Sequence, residues 1–96
     1  MERKEILERL TAQHHKLTDF KVKSLAIFGS VARGDARADS DVDILVEFKG
    51  SATFDQYMKL KIFLEELLGC PVDLLTRKGV RPEIAPYIEQ EAVYVS

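Results

Sequence analysis

The sequence holds a single cysteine, Cys70, so no internal disulfide can form and no cysteine-based zinc cluster can assemble. Cys70 sits between Gly69 and Pro71 at a helix-to-strand junction, with no partner base near it in sequence. It reads as a small, half-buried residue rather than a nucleophile. No apolar run approaches the roughly 18 residues that a membrane span needs. The N-terminal stretch MERKEILERL is charged and helix-patterned, unlike a secretory signal, so a cytoplasmic location is expected. A net charge of −2 excludes a molecule that holds nucleic acid by its overall electrostatics. Repeats, low-complexity tracts and a linker are missing too, and a length of 96 residues predicts one domain over 1–96.

What is present is the material of a soluble globular protein. Apolar residues make up 46% and charged residues 31%, an ordinary balance that allows one modest core. Residues 3–18 are predicted helical, because Ile6, Leu7, Leu10 and Leu17 recur near one face and His14 completes the row. His14 and His15 are read as an edge and an outer residue of that helix, since a metal site would need partners that local spacing does not show. Leu25–Phe28 is an apolar run too short for a helix and predicts a buried strand. Gly29-Ser30 ends it, Val31–Gly34 can form one helical turn, and Asp35–Ser40 is a polar loop. Val42–Phe48 is the second strand.

Thr53 with Gln56 three residues on has the form of a capping box for a helix running to about Leu68, which Gly69 and Pro71 end. Val72–Thr76 is a third strand and Arg77–Arg81 a basic loop. Pro82 can open a helix, but Pro86 would delete one of its hydrogen bonds, so a short helix restarting at Pro86 and ending near Glu91 is expected. Ala92–Val95 is the last strand, at the sheet edge. The order is α-β-turn-β-α-β-α-β, an α/β (α+β) chain.

The chemistry concentrates between Leu25 and Phe48. In a strand, Asp41 and Asp43 point the same way, together with Leu45, while Val42, Ile44, Val46 and Phe48 point the other. Two aligned carboxylates repel unless a cation sits between them, and Mg²⁺ suits one or two carboxylates plus phosphate oxygens. In the third strand Asp73 lies among apolar neighbours, where an isolated carboxylate is costly to bury. If that strand lies beside the second, Asp73 faces the same site. Three carboxylates can hold two metal ions about 3.5–4 Å apart for in-line phosphoryl transfer, with Asp73 as base or electrostatic support for the attacking hydroxyl. Asp39 extends the alternation, but it lies further into the loop, where a turn or cap role is expected and where Asp39→Asn should spare activity.

Gly29-Ser30 supplies the other half. A glycine at a strand end lets the backbone approach a phosphate closely, and backbone N–H groups with the Ser30 hydroxyl can cradle it. The dipeptide alone is a weak signal. Its weight comes from following a buried strand and preceding Asp41-Val42-Asp43 by ten residues. Lys21, Lys23, Arg33, Arg37, Arg77, Lys78 and Arg81 flank this acidic region and are candidates for phosphate contact.

Gly29-Ser30, ten residues, then Asp41-Val42-Asp43 resembles the G-S-x(n)-D-x-D signature of the DNA polymerase beta-like nucleotidyltransferases. The string F-G-S-V-A-R-G-D-A-R-A-D-S-D-V-D-I-L-V is similar to the minimal nucleotidyltransferases, V-D-L-L around Asp73 resembles their third-carboxylate strand, and I-E-Q-E-A-V-Y-V is similar to their C-terminal segment. The resemblance spans roughly Val22 to Val95. It implies a nucleotidyltransferase fold, a mixed four-stranded sheet with about three helices packed on one side. It implies ATP as substrate, two Mg²⁺ ions, and transfer of AMP to a hydroxyl. Asp41, Asp43 and Asp73 would be the catalytic acids and metal ligands, and Gly29, Ser30, Arg33 and Ser40 the nucleotide contacts.

The resemblance further implies an antitoxin whose partner is a HEPN-domain RNase toxin modified on a tyrosine, with neither direct nucleic-acid binding nor a membrane role. Larger transferases of this kind carry extra domains that hold a base or an acceptor. Here no such domain exists within the sequence, and no aromatic beyond core positions stands out to stack a nucleobase. Two other readings therefore stay open: an antitoxin that works by binding alone, and the catalytic subunit of a two-chain transferase acting on a small molecule such as an aminoglycoside.

Overall fold

Five helices and four strands succeed one another along the described residues, 2–35 and 41–95 of the computed structural model. Helices α1 (Arg3–Ala12) and α2 (His14–Asp19) lead into strand β1 (Val22–Phe28), and α3 (Gly29–Arg33) follows at once. Then come β2 (Val42–Phe48), α4 (Phe54–Leu68), β3 (Val72–Thr76), a 3-10 turn at Arg77–Gly79, α5 (Ala85–Glu91) and β4 (Val93–Tyr94). The strands form one sheet in the order β3-β2-β1-β4. Strand β1 runs antiparallel to β2 and to β4, whereas β2 and β3 are parallel. The sheet is thus mixed, as expected. A parallel pair needs a crossover, and α4 is that crossover.

Alternation along the strands separates the two faces of the sheet. Leu25, Ile27, Val42, Ile44, Val46, Phe48, Val72 and Leu74 join Ile6, Leu10 and Leu17 of the N-terminal helices and Leu60, Leu64 and Leu68 of α4 in one core. The α4 residues recur every four positions, so a single stripe faces the sheet. The opposite face carries Asp43, Leu45 and Glu47 on β2 and Asp73 and Leu75 on β3. Helix α5 buries none of its own residues. Among the described residues no helix is long and apolar enough to cross a membrane.

The α4 caps form as the sequence predicts. The Gln56 N–H donates to Thr53 Oγ1 at 3.1 Å, and the Thr53 N–H donates to Gln56 Oε1 at 2.8 Å. Gly69 ends the helix in the left-handed region, φ +70°. The same helix shields the sheet edge. Glu65 Oε2 accepts from the Val72 N–H at 3.0 Å, and the Tyr57 hydroxyl donates to the Leu74 carbonyl. Backbone groups that would otherwise invite a foreign strand are thereby engaged.

Several boundaries differ from the sequence reading. The single helix expected over residues 3–18 breaks at Gln13, which leaves the helical region at φ −103°, ψ 24°. No glycine or proline marks the break, so periodicity runs straight through it. His14 and His15 are both exposed. Strand β1 begins at Val22 rather than Leu25, because an irregularity between Val22 and Ser24 interrupts its alternation. Helix α3 begins at Gly29, two residues before the predicted turn, and β4 is only Val93–Tyr94. The split and the expected turn that forms helix α3 raise the helix count from the three expected to five among the described residues.

Candidate active site

The α4 crossover places β3 against β2 so that Asp73 lies directly opposite Asp43. Both carboxylates then project from the same face of adjacent strands. Asp41 lies just before β2 and is exposed, Asp43 is half-buried, and Asp73 is exposed. That exposure corrects one step of the sequence argument. Asp73 is not a carboxylate forced into an apolar interior; register, not burial, brings it to the site.

On the other side of β2, Asp43 pairs with Phe28, the last residue of β1. The chain therefore leaves β1 beside the Asp43 side chain, and the residue that follows is Gly29. Its φ is +70°, which an L side chain adopts only under strain. A Cβ on Gly29 would stand 2.1 Å from Asp43 Oδ2 and 3.1 Å from its Cγ. Backbone geometry and the approach of the carboxylate thus both require glycine here. Ser30 follows in the first turn of α3, half-buried. Gly34, φ +81°, caps the end of helix α3, and the Asp35 N–H returns to the Ser30 carbonyl at 3.0 Å. From α1, Arg3 Nη1 donates to the Ala32 carbonyl at 2.9 Å, a cation placed at the negative end of the helix.

Electrostatics match the crowding. Partial burial, then Asp73, then Asp41 push the Asp43 carboxyl above the usual carboxylate range, while the Arg33 guanidinium pulls it back. Arg33 Nε pairs with Asp35 Oδ2 at 3.3 Å, and its Nη1 reaches both Glu91 oxygens at 3.1 Å. These two acids, Asp35 first, hold the guanidinium more firmly protonated than usual.

The donor set fits Mg²⁺. Its oxygens are hard ligands, and a cation beside Asp43 would relieve the like-charge repulsion that perturbs it. Among the described residues no group of three or more acidic, histidine or cysteine side chains is placed to hold a metal ion. A Mg²⁺ ion needs only one or two carboxylates and completes its shell with water and substrate phosphates, so the pair Asp41 and Asp43 would suffice.

Gly29, Ser30, Asp41, Asp43 and Asp73 thus gather at one corner of the sheet, and Arg33 stands at the rim. Ser40, with Arg37 and Asp39, lies outside the described residues. Of the other flanking cations, Lys23 and Arg77 are engaged elsewhere. Lys23 pairs with Glu47 at 3.8 Å. Arg77 faces Glu47 at 3.5 Å and also binds Glu89 and the Tyr94 hydroxyl, so it fastens α5 and β4 to the sheet. A hollow of about 280 Å³ lined by Glu47, Arg77 and Lys78 lies at the far ends of β2 and β3. It contains none of the three aspartates, so the carboxylate corner, not this hollow, is the candidate for chemistry. Sequence reasoning missed Glu91 and Arg3. Neither carries a local signal, because each reaches its partner only through the tertiary fold.

Comparison with known proteins agrees with this geometry. The family model described as a nucleotidyltransferase domain matches residues 4–95. The protein adenylyltransferase MntA of Thermococcus cleftensis is 41% identical over 92 residues, covering 95% of this chain and 93% of that one. A solved structure provisionally named a minimal nucleotidyltransferase aligns with TM-score 0.85 and 35% identity, over 97% of this chain and 95% of the other. A chain in the solved complex of a tri-AMPylated Shewanella oneidensis HEPN toxin with an MNT antitoxin aligns with TM-score 0.68, over 94% of this chain and 71% of that one. Its identity is 18%, so it shares the fold alone.

Proposed function

The chain belongs to the nucleotidyltransferase domain family, and from that premise we propose that it transfers AMP from ATP to a hydroxyl of a protein acceptor. The observation that carries the reading is the in-register pairing of Asp43 with Asp73, with Gly29 packed against Asp43. Asp41 and Asp43 would hold Mg²⁺, with Asp73 as the third acid beside them. When bound, Mg²⁺ neutralises these carboxylates and stabilises charge on the phosphates. Gly29 and the Ser30 hydroxyl line the triphosphate, joined by Arg33 and Ser40. The acceptor oxygen attacks the α-phosphorus, the bond to the β-phosphate oxygen breaks, and pyrophosphate leaves. Asp73 takes the hydroxyl proton or steadies the charge that develops there. Its exposure suits a group that must meet a macromolecular acceptor, whereas Asp43, closer to Gly29, faces the nucleotide.

The acceptor in this reading is a tyrosine of a HEPN RNase toxin, and the chain is the matching antitoxin, working in the cytoplasm as a single domain. Support comes from the name of the T. cleftensis relative and from the S. oneidensis complex, whose toxin is AMPylated. The test is label transfer from α-labelled ATP to the HEPN partner in the presence of Mg²⁺. Transfer by the wild type and its loss in Asp41→Asn/Asp43→Asn is the expected result. Absence of transfer, or undiminished transfer by the double variant, sinks the proposal. If that variant neutralises the toxin as well as the wild type, the chain acts by binding alone.

A further inference from the structure

Arg33 and Glu91 are separated by 58 positions in sequence, yet the Arg33 Nη1 donates to both Glu91 oxygens at 3.1 Å. Glu91 is the last residue of α5 and Arg33 the last of α3. Helix α5 has no fully buried residue, and of its apolar residues only Ala85 and Ile88 are half-buried. Ion pairs fasten it: Arg33–Glu91 at its end, and Arg77–Glu89 two residues earlier. The two fastenings differ in what they touch. Arg77 contacts Glu47, Glu89 and Tyr94. Arg33 lies on α3, the helix whose first residue, Gly29, packs directly against Asp43.

We infer that Glu91 is a positioning residue for the nucleotide: it holds the Arg33 guanidinium at the rim of the carboxylate corner, where Arg33 meets the triphosphate. The inference rests on the proposed role of Arg33 as a nucleotide contact. An arginine side chain has many rotamers, and fixing one of them costs entropy at the moment of binding. A carboxylate that orients the guanidinium through Nη1, with Asp35 on Nε, removes that cost beforehand. Five N–H donors in a rigid fork let one guanidinium serve a carboxylate and a phosphate together. Glu91 therefore acts on affinity for the triphosphate, not on bond breaking, which Asp41, Asp43 and Asp73 serve.

The experiment measures the Kd of Mg·ATP by calorimetry and AMP transfer at saturating ATP, using the full chain. Glu91→Gln keeps shape and removes charge, and should weaken Mg·ATP binding about tenfold while transfer at saturation stays within about twofold. Glu91→Asp should recover part of the affinity. Glu89→Gln loosens the same helix without touching Arg33 and should bind Mg·ATP as the wild type does. Arg33→Ala should weaken binding by itself, and adding Glu91→Gln to it should weaken binding no further.

Wild-type affinity in Glu91→Gln overturns the inference. So does an equal loss in Glu89→Gln, which would make Glu91 a mere fastener of α5, or additivity with Arg33→Ala. A wild-type chain that neither binds Mg·ATP nor transfers AMP overturns the proposed function, and this inference with it. Arg33 and Glu91 are substantially exposed, 48% and 37%, so the variants should fold. Their melting curves check that, and Glu91→Asp provides the second reading.

Discussion

Gly29→Ala isolates the contact on which the site is built. Two terms contribute. A side chain at φ +70° is strained by about 1–2 kcal/mol, offset by about 0.4–1 kcal/mol because alanine loses less entropy on folding than glycine. The new Cβ also stands 2.1 Å from Asp43 Oδ2, so the carboxylate must rotate out of its well, at about 0.5–1.5 kcal/mol. Gly34 supplies the control, because its φ is +81° but nothing lies within 4 Å of its Cβ position. Gly34→Ala should therefore cost about 1 kcal/mol and Gly29→Ala about 2 kcal/mol. In a domain of this size those losses lower Tm by roughly 4–8 °C and 8–16 °C.

Thermal unfolding of the Mg²⁺-free protein, followed by circular dichroism, reads both. AMP transfer should fall about 100-fold or more in Gly29→Ala, the scale of a catalytic group displaced by about 1 Å, and should survive in Gly34→Ala. A double-mutant cycle completes the test. In an Asp43→Ala background the carboxylate is gone, and Gly29→Ala should cost only its backbone share, about 1 kcal/mol less than in the wild type. Equal destabilisation by the two glycine variants, or strict additivity in the cycle, would refute the claim that Gly29 exists to admit Asp43.

Other consequences follow from the same contacts. Without Mg²⁺, Asp43→Asn should raise stability by about 0.5–1 kcal/mol, the exposed-pair scale; a lower melting temperature than wild type contradicts the repulsion argument. The sign with pH is fixed by the raised Asp43 carboxyl. The stability it contributes is full below the ordinary carboxylate pKa and is lost as pH rises through the raised value, so the metal-free wild type should weaken over that window and Asp43→Asn should show less of this slope. Thr53→Ala removes the hydroxyl that accepts the Gln56 N–H and should cost about 1 kcal/mol, measured by urea unfolding; no change would mean that the cap is redundant. Leu64→Ala empties a fully buried position under the sheet and should cost about 2–5 kcal/mol; a loss below about 1 kcal/mol would show that the core closes over the cavity.

Much of the fold was legible because its signals are local. The Thr53–Gln56 box and Gly69 delimit α4 by hydrogen bonds within one turn of the residues concerned. Alternation delimits β2 because one of its faces is packed and the other carries polar groups. The misreadings lie where neighbours in space decide. Nothing in residues 12–14 announces the break between α1 and α2. The irregularity between Val22 and Ser24 hides the first turn of β1 from a two-residue period. Gly29 was legible as a strand-end glycine, but not as one already in helix α3.

The site shows the same division more sharply. Alternation alone places Asp43 on the face away from the core, because Val42, Ile44 and Val46 must point inward. Asp73 drew notice as an acid among apolar neighbours, yet on an exposed position that pattern carries no energetic cost. What makes Asp73 part of the site is the parallel crossover, which aligns Val42 with Val72 and therefore Asp43 with Asp73. A one-residue slip of β3 would move Asp73 to the other face and would put Leu74 outside the core. The apolar residues of β3 thus enforce the register that brings the two acids together, so the pairing of the two acids is stabilised by side chains that never touch it. Core substitutions at Val72 or Leu74 should consequently impair AMP transfer out of proportion to their effect on folding. Transfer that tracks the folded fraction alone would argue against this coupling of core to site.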